Sequence, residues 1–469
     1  MRMCSCIAIG AGGRTLLSGA VGLALISAQA SVVADNGVRT AELSPAAESG
    51  RAAVALPSQD GGGVQRLDLS AAVERARAGH PMLSAAAAMV DSAEAAGRSV
   101  TAPYRPMLSL NTYLSDGTGA PIFASTVAPI NFMSLPGGAS AMQNAMLMWR
   151  IYSGGRDRTA GRLAGVQVAA AESLFGTTEL DVGLRVRLAF AEAQRREEDL
   201  AAERAGLEAA RELERVTRER FEAGKVPEAF LFRAQADRAR SQRRVAMARA
   251  EFQAAVARLK EAVGIPQEEP LTLGEWDEAM EAPRTLDEAR RRSLRDRPEL
   301  AMLDKRREAY SLRGRLADQS GLPEVSLMGM SDLMSTERFG NMDKYKVGLV
   351  VSFPLFDGGM RRADADQNRA MSRRTEADLD TMRLRIQAEV AASWAAWSAA
   401  PSVLEAAESE VRSSDEAYRI AKLRYESGKA IQVEVSEALA DFVTALVGRA
   451  QALEYQRRAW AKLMRAVGA

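Results

Sequence analysis

The chain has 469 residues, with 62 basic and 61 acidic side chains, one histidine and two cysteines. So even a balance offers no basic field to a nucleic acid, and a lone histidine, His80, makes neither a catalytic triad nor a metal cluster. The glycines at 10–13 lie in the opening segment read below as a signal and those at 61–63 precede no predicted strand, so neither is read as a phosphate loop, and nothing in the sequence points to an enzyme or a cofactor.

The chain opens as a secretory signal. Arg2 and Arg14 supply a basic start, residues 16–28 are apolar, and Ala28-Gln29-Ala30 is a small-residue cleavage pattern, with a second cut available after Ala34. The apolar run is too short to span a bilayer easily. Residues 1–30 are therefore read as a signal peptide. Cys4 and Cys6 both lie in it, so the exported chain has no disulfide, thiolate ligand or cysteine nucleophile. Beyond the signal no stretch of 18 apolar residues remains, and membrane passage must fall to β-strands. Residues 31–66, rich in Ala, Gly and Ser, read as a flexible lead segment.

From there the chain repeats itself. Arg220-Phe221-Glu222-Ala223-Gly224-Lys225 recurs as Arg424-Tyr425-Glu426-Ser427-Gly428-Lys429, Gly154-Gly155 as Gly358-Gly359, and Val263-Gly264 as Val467-Gly468, each at an offset of 204. The fronts of the units match at 217: Pro106-Met107-Leu108-Ser109-Leu110 parallels Pro323-Glu324-Val325-Ser326-Leu327. The difference of 13 residues places a longer loop between Leu110 and Gly154 of the first copy. The units run over 67–265 and 285–469, with a linker at 266–284.

Each unit has the same order. An amphipathic helix is predicted at 70–98 and 286–318, a strand at 106–114 and 323–331, and a second strand at 145–151 and 345–355. The Gly-Gly turns at Gly154, Gly155, Gly358 and Gly359 lead into a long helix, and a shorter helix returns. Tyr345, Val347, Leu349, Val351, Phe353 and Leu355 alternate with Lys346, Gly348 and Ser352, with Val350 the exception. An apolar outer and polar inner face suits a lipid-bathed barrel, although a soluble sandwich strand alternates the same way. The long segments decide between them. Residues 156–223 would reach roughly 100 Å as one helix, and Val182, Val186, Phe190 and Ala193, like Ile386, Val390, Trp394 and Trp397, step by 4, 4 and 3 along a narrow stripe. Rods of that length with four short strands suit a membrane barrel continuing into helices. Four strands cannot close a barrel, so an oligomer is required.

These features resemble the TolC-type outer-membrane channels, the exit ducts of tripartite efflux pumps and type I secretion systems. The resemblance rests on the duplication, on Phe353-Pro354-Leu355-Phe356-Asp357-Gly358-Gly359, and on the Arg-aromatic-x-x-Gly turns at 220–224 and 424–428, and it covers the chain from Leu67 onward. It implies a mainly α protein: a homotrimer with a twelve-stranded barrel in the outer-membrane lipid and a periplasmic helical barrel. The partners would be a periplasmic adaptor, or membrane fusion protein, and an inner-membrane pump of the RND or ABC type. Gly224, Lys225, Gly428 and Lys429 would form the helix tips that meet the adaptor. Glu434 and Glu437, six and nine residues beyond Gly428, would line the periplasmic gate, and Tyr425 would latch neighbouring hairpins. The first tip departs from the pattern: Phe230 stands where an acid often completes the latch, with Arg233 beyond it, so a Phe230 ring offers an apolar constriction. Arg150 replaces the proline found at Pro354. A rival arrangement, a periplasmic hairpin adaptor without a pore, would carry one hairpin among soluble β modules rather than strand pairs in both halves. Methionines near the strands, including Met142, Met146, Met148, Met328, Met330 and Met334, read as flexible apolar filling at the membrane surface, with soft-metal handling as the alternative.

Overall fold

The computed structural model of the chain describes residues 65–115, 140–336 and 340–469. The signal peptide, nearly all of the lead segment and most of the long first-copy loop lie outside these residues. Within residues 62–469, one compact unit, the elements follow in the order β1 (Gln65–Leu67), α1 (Leu69–Gly79), α2 (Pro81–Thr101), β2 (Met107–Ser115), β3 (Ser140–Tyr152), α3 (Arg156–Glu222) and α4 (Glu228–Val263). The second copy continues as β4 (Leu271–Leu273), α5 (Leu286–Asp296), α6 (Pro298–Gln319), β5 (Glu324–Thr336), β6 (Gly340–Ser352), α7 (Met360–Glu426) and α8 (Gln432–Val467).

The front helix of each unit, expected to be single, is a pair. The breaks fall at His80-Pro81 and Arg297-Pro298, where proline lacks the N–H for an i−4 bond and forces its predecessor out of the helical region: His80 has φ −68°, ψ 129° and Arg297 φ −72°, ψ 118°. Both prolines then start the next helix. His80, the one histidine of the chain, caps α2 by accepting from Met82 N at 3.1 Å.

The long helices α3 and α7 each hold 67 residues, roughly 100 Å at 1.5 Å per residue. Pro401 lies inside α7 without ending it. Their apolar stripes form the two main cores at equivalent positions. Val182, Val186 and Phe190 meet Leu259 and Val263 from α4 and Leu69 and Val73 from α1. Ile386 and Val390 meet Leu463 and Val467 from α8 and Ala289 from α5, with Trp394 and Trp397 alongside.

The linker is more ordered than its composition suggests. β1 and β4 form a small parallel sheet, Gln65 to Leu67 against Leu271 to Leu273, missed because three-residue strands carry no readable period. Asp68 accepts from Glu275 N at 2.8 Å, and Ser70 N donates to Asp277 at 2.9 Å. Trp276 inserts edge-on between Phe190, at 6.4 Å, and Trp460, at 5.9 Å, so the linker ties both copies together.

The main sheet is antiparallel in the order β2-β3-β5-β6. Its strands differ from the expected limits. β3 begins earlier than 145, β5 runs beyond 331, and β6 lies at Gly340–Ser352 rather than 345–355. Pro354 has no donor for a ladder, so Phe353 to Leu355 leave the sheet. Arg150, at the equivalent place, keeps its N–H, and β3 continues to Tyr152. Among the described residues β2 and β6 have no strand beyond them, so the described sheet does not close into a barrel.

Both Gly-Gly turns require left-handed backbone. Gly154 and Gly155 have φ 63° and 82°, and Gly358 and Gly359 have φ 64° and 89°. The cap beyond each is solved by exchanged partners. In the second copy Asp357 accepts from Gly359 N at 3.0 Å and from Arg361 N at 3.1 Å and Nε at 2.6 Å. In the first, Ser153 and Asp157 occupy those positions, and Ser153 Oγ donates to Asp157 Oδ1 at 2.9 Å. Each bond holds its aspartate below the ordinary carboxylate range.

Candidate functional site

The candidate site has two parts, the free ends of the long helices and the faces of the four-stranded sheet. Each tip closes in the same way. After α3, Gly224 N donates to Phe221 O and Lys225 N to Arg220 O, both at 2.8 Å; after α7, Gly428 N donates to Tyr425 O at 2.9 Å and Lys429 N to Arg424 O at 2.8 Å. This double bond returns the last carbonyls through a left-handed residue, and Gly224 and Gly428 have φ 69° and 73°. Gly224, Lys225, Gly428 and Lys429 are all exposed.

Just above the tips, Tyr425 is buried, with only 4% of its surface exposed. Its hydroxyl lies 3.0 Å from Thr217 Oγ1. The Thr217 proton is committed to Leu213 O at 2.7 Å, so the tyrosine donates and the threonine accepts. Arg220 stacks over the Tyr425 ring at 4.4 Å and donates to Glu426 O at 2.9 Å. Leu213 and Val435 pack around the ring. The sequence marks Arg220 as the start of a repeated turn but not as a partner of Tyr425, and it does not mark Thr217 at all. Thr217 is one polar residue on a polar helix, and only the packing of α3 on α7 gives it a partner.

Glu434 stands in the first turn of α8, where the helix dipole favours a carboxylate, 3.4 Å from Arg424. Glu437 is exposed one turn further on, and Phe230 is half-buried in the first turn of α4. Gln432, almost fully buried, bridges the two hairpins: with its amide oriented to suit its neighbours it donates to Phe230 O at 2.9 Å and accepts from Ala234 N at 3.2 Å. Ser436 donates to Asp237 at 3.1 Å nearby. The fold thus brings Glu434, Tyr425 and Phe230 to one end of the molecule.

The sheet has two unlike faces. Leu108, Leu147, Gly329 and Val347 lie in one cross-strand row, and Leu110, Ala145, Ser331 and Tyr345 in the next. On β6 this face is bare: Tyr345 is 86% exposed, Val347 77% and Val351 68%. An apolar row of this size standing in water needs a cover. The opposite face carries Asn111, Asn144, Asp332 and Lys344 in one row, with Asn144 bonded to Asp332. Toward the helices, Arg150 Nε pairs with Glu324 at 2.5 Å, and Arg156 reaches the same carboxylate. No described helix is long and apolar enough to cross a membrane.

The family model for outer membrane efflux proteins matches residues 72–265 and 289–469. No curated protein matches the sequence. Among solved structures, the outer membrane protein VceC of Vibrio cholerae is similar at a TM-score of 0.70 and 18% identity, over 86% of this chain and 96% of that one. The CmeC outer membrane channel of Campylobacter jejuni is similar at 0.70 and 18%, over 85% of each chain. A membrane protein of Pseudomonas aeruginosa is similar at 0.71 and 20%, over 88% of this chain and 95% of that one. At these identities the structures speak to the fold, and the family model speaks to membership. The chain belongs to the outer membrane efflux protein family, channels rather than enzymes, which sit in the Gram-negative outer membrane with their helices extending into the periplasm.

Proposed function

We propose that the protein is the exit duct of a tripartite efflux or type I secretion system, a homotrimer that passively conducts substrate outward from a periplasmic adaptor and an inner-membrane RND or ABC pump. Three sheets would supply twelve strands and three helical layers a periplasmic barrel. The mature chain would begin after a signal peptide at 1–30 and consist of repeats 67–265 and 285–469 around a linker at 266–284.

One observation supports a ring of several copies. In its upper half α3 lies between α2 and α6, and in its lower half between α4 and α8. Its counterpart α7 packs on α6 and on α8, while the flank corresponding to α2 and α4 has no packed helix among the described residues. The side chains register the difference. Leu180 and Val216 on α3 are half-buried, whereas their equivalents Leu384 and Ile420 on α7 are 68% and 45% exposed. The repeat asks for a second α2 and α4 beside α7, and a neighbouring copy has them to offer. The same ring would close the open edges β2 and β6, which lipid does not tolerate unpaired.

At the lower end, Tyr425, Glu434, Glu437 and Phe230 would surround the periplasmic gate, and Gly224, Lys225, Gly428 and Lys429 would meet the adaptor. Rings of three glutamates would favour cations and hold divalent ions. The duct adds no energy; its part is a sealed polar path with a resting gate. Native mass spectrometry of the detergent-extracted protein tests the assembly. Three chains per particle are expected, and a stable monomer or dimer overturns the reading.

A further inference from the structure

The sheet sorts the methionines in a way that apolar filling at a lipid surface does not explain. Met107, Met148 and Met328 lie directly across from one another on β2, β3 and β5, and Met146 and Met330 form the adjoining row. All five share the face of Asn144, Asp332, Arg150 and Glu324, opposite the bare apolar rows. The side chains of Met142 and Met334 lie outside the described residues.

We propose that Met107, Met148 and Met328, with Met146 beside them, form a binding site for a soft monovalent cation, Cu(I) or Ag(I), on the inner wall of the duct. Directly opposed residues have Cβ atoms about 4.5–5.5 Å apart, close enough for flexible thioether arms to converge on one ion. Thioethers are neutral and soft. They take Cu(I) and Ag(I) and leave hydrated Mg²⁺ and Ca²⁺ to oxygen ligands. The row ends at Gly348, opposite Met328, where an added Cβ would meet nothing within 4 Å, so space is left beside the sulfurs. On the helix side Arg150 is paired with Glu324, and on the other side Asp332 already accepts from the Asn144 amide. Lys346 stands across from Met330, which places the centre on the Met107–Met148–Met328 row, away from the ammonium. The location of the site inside the duct rests on the function proposed above, but the site itself needs only the strand register.

The test is Cu(I) and Ag(I) binding by the exported, detergent-extracted protein, with bicinchoninate as the Cu(I) competitor; Cys4 and Cys6 leave with the signal, so no thiolate contributes. The parent should bind the ion with sulfur-only coordination in X-ray absorption. Met107→Leu with Met148→Leu and Met328→Leu, which keeps the volume, should weaken binding by about tenfold or more. Met148→Leu alone, at the centre of the row, gives the same reading should the triple variant not assemble. Met82→Leu with Met89→Leu and Met247→Leu, exposed methionines on helices, should change nothing. No binding by the parent, or equal binding by the row variants, overturns the site. Bilayer conductance of the same samples reports on the duct separately: a conducting protein that binds neither ion loses the site and keeps the duct, and an ion-binding protein that does not conduct loses the duct and keeps the site.

Discussion

Tyr425 on α7 gives its hydroxyl proton to Thr217 on α3 across 3.0 Å, in a pocket from which water is excluded. The bond ties the two long helices together just above their free ends. Tyr425→Phe keeps the ring under Arg220 but leaves Thr217 without its donor. The expected cost is about 1 kcal/mol, felt at the tips rather than through the whole fold. The variant should assemble like the wild type and show larger or more frequent conductance steps in a bilayer, and Thr217→Val should do the same.

Gly206 sits where α3 crosses α8. A Cβ there would lie 2.8 Å from Val443 Cγ2, a contact that real side chains do not make. Gly206→Ala should therefore destabilise the protein by about 1–3 kcal/mol through overpacking. Combining it with Val443→Ala removes the clash and should return most of the loss in a thermal melt. A double variant that recovers nothing would mean that the contact with Val443 is not the source of the loss.

Arg297 is a charge almost wholly removed from water, its side chain 3% exposed, held by Glu299 at 3.1 Å and Glu389 at 3.0 Å and donating to Arg465 O at 3.1 Å. Arg465 completes the cluster through Glu299 and Asp181. Arg297→Met would leave Glu299 with Arg465 alone and Glu389 without its closest partner, and a loss toward the lower end of about 3–5 kcal/mol is expected in chemical denaturation. Glu389, which is more exposed, can be rehydrated, so Glu389→Gln should cost less.

The cap at the start of α7 gives a pH prediction. Asp357 is held below its ordinary value of 3.8, first by the Arg361 side chain and then by the Arg361 and Gly359 N–H groups. A carboxylate with a lowered folded-state pKa contributes stability that is fully present above its unfolded value and is lost as pH falls through the folded one. The order of the α7 start should therefore persist down through pH 3.8 and yield only below it, followed by hydrogen exchange at residues 357–363. Arg361→Ala should move the transition toward the ordinary value.

The duplication, the long helices and the glycine turns could be read from the sequence because each leaves a local mark: a fixed offset, an apolar stripe, an obligatory glycine. Other features could not. The strand limits depend on which N–H groups find a neighbour, so β6 stopped before Pro354 while β3 ran through Arg150. Pro81 and Pro298 stand within continuous amphipathic patterns in the sequence, yet each splits its helix in two. Thr217 and Arg220 become partners of Tyr425 only once α3 packs on α7. The methionines were visible as a cluster, but their shared face is a property of register, which the alternation within one strand does not reveal.

The central claim, a trimeric duct with an acidic periplasmic gate, meets its most direct test in a planar bilayer, with the wild type beside the double variant Glu434→Gln, Glu437→Gln. The account predicts small, cation-selective steps blocked by divalent ions, with the block relieved in the double variant. A stable, properly extracted oligomer that does not conduct would contradict the duct, and a divalent block identical in both proteins would contradict the gate.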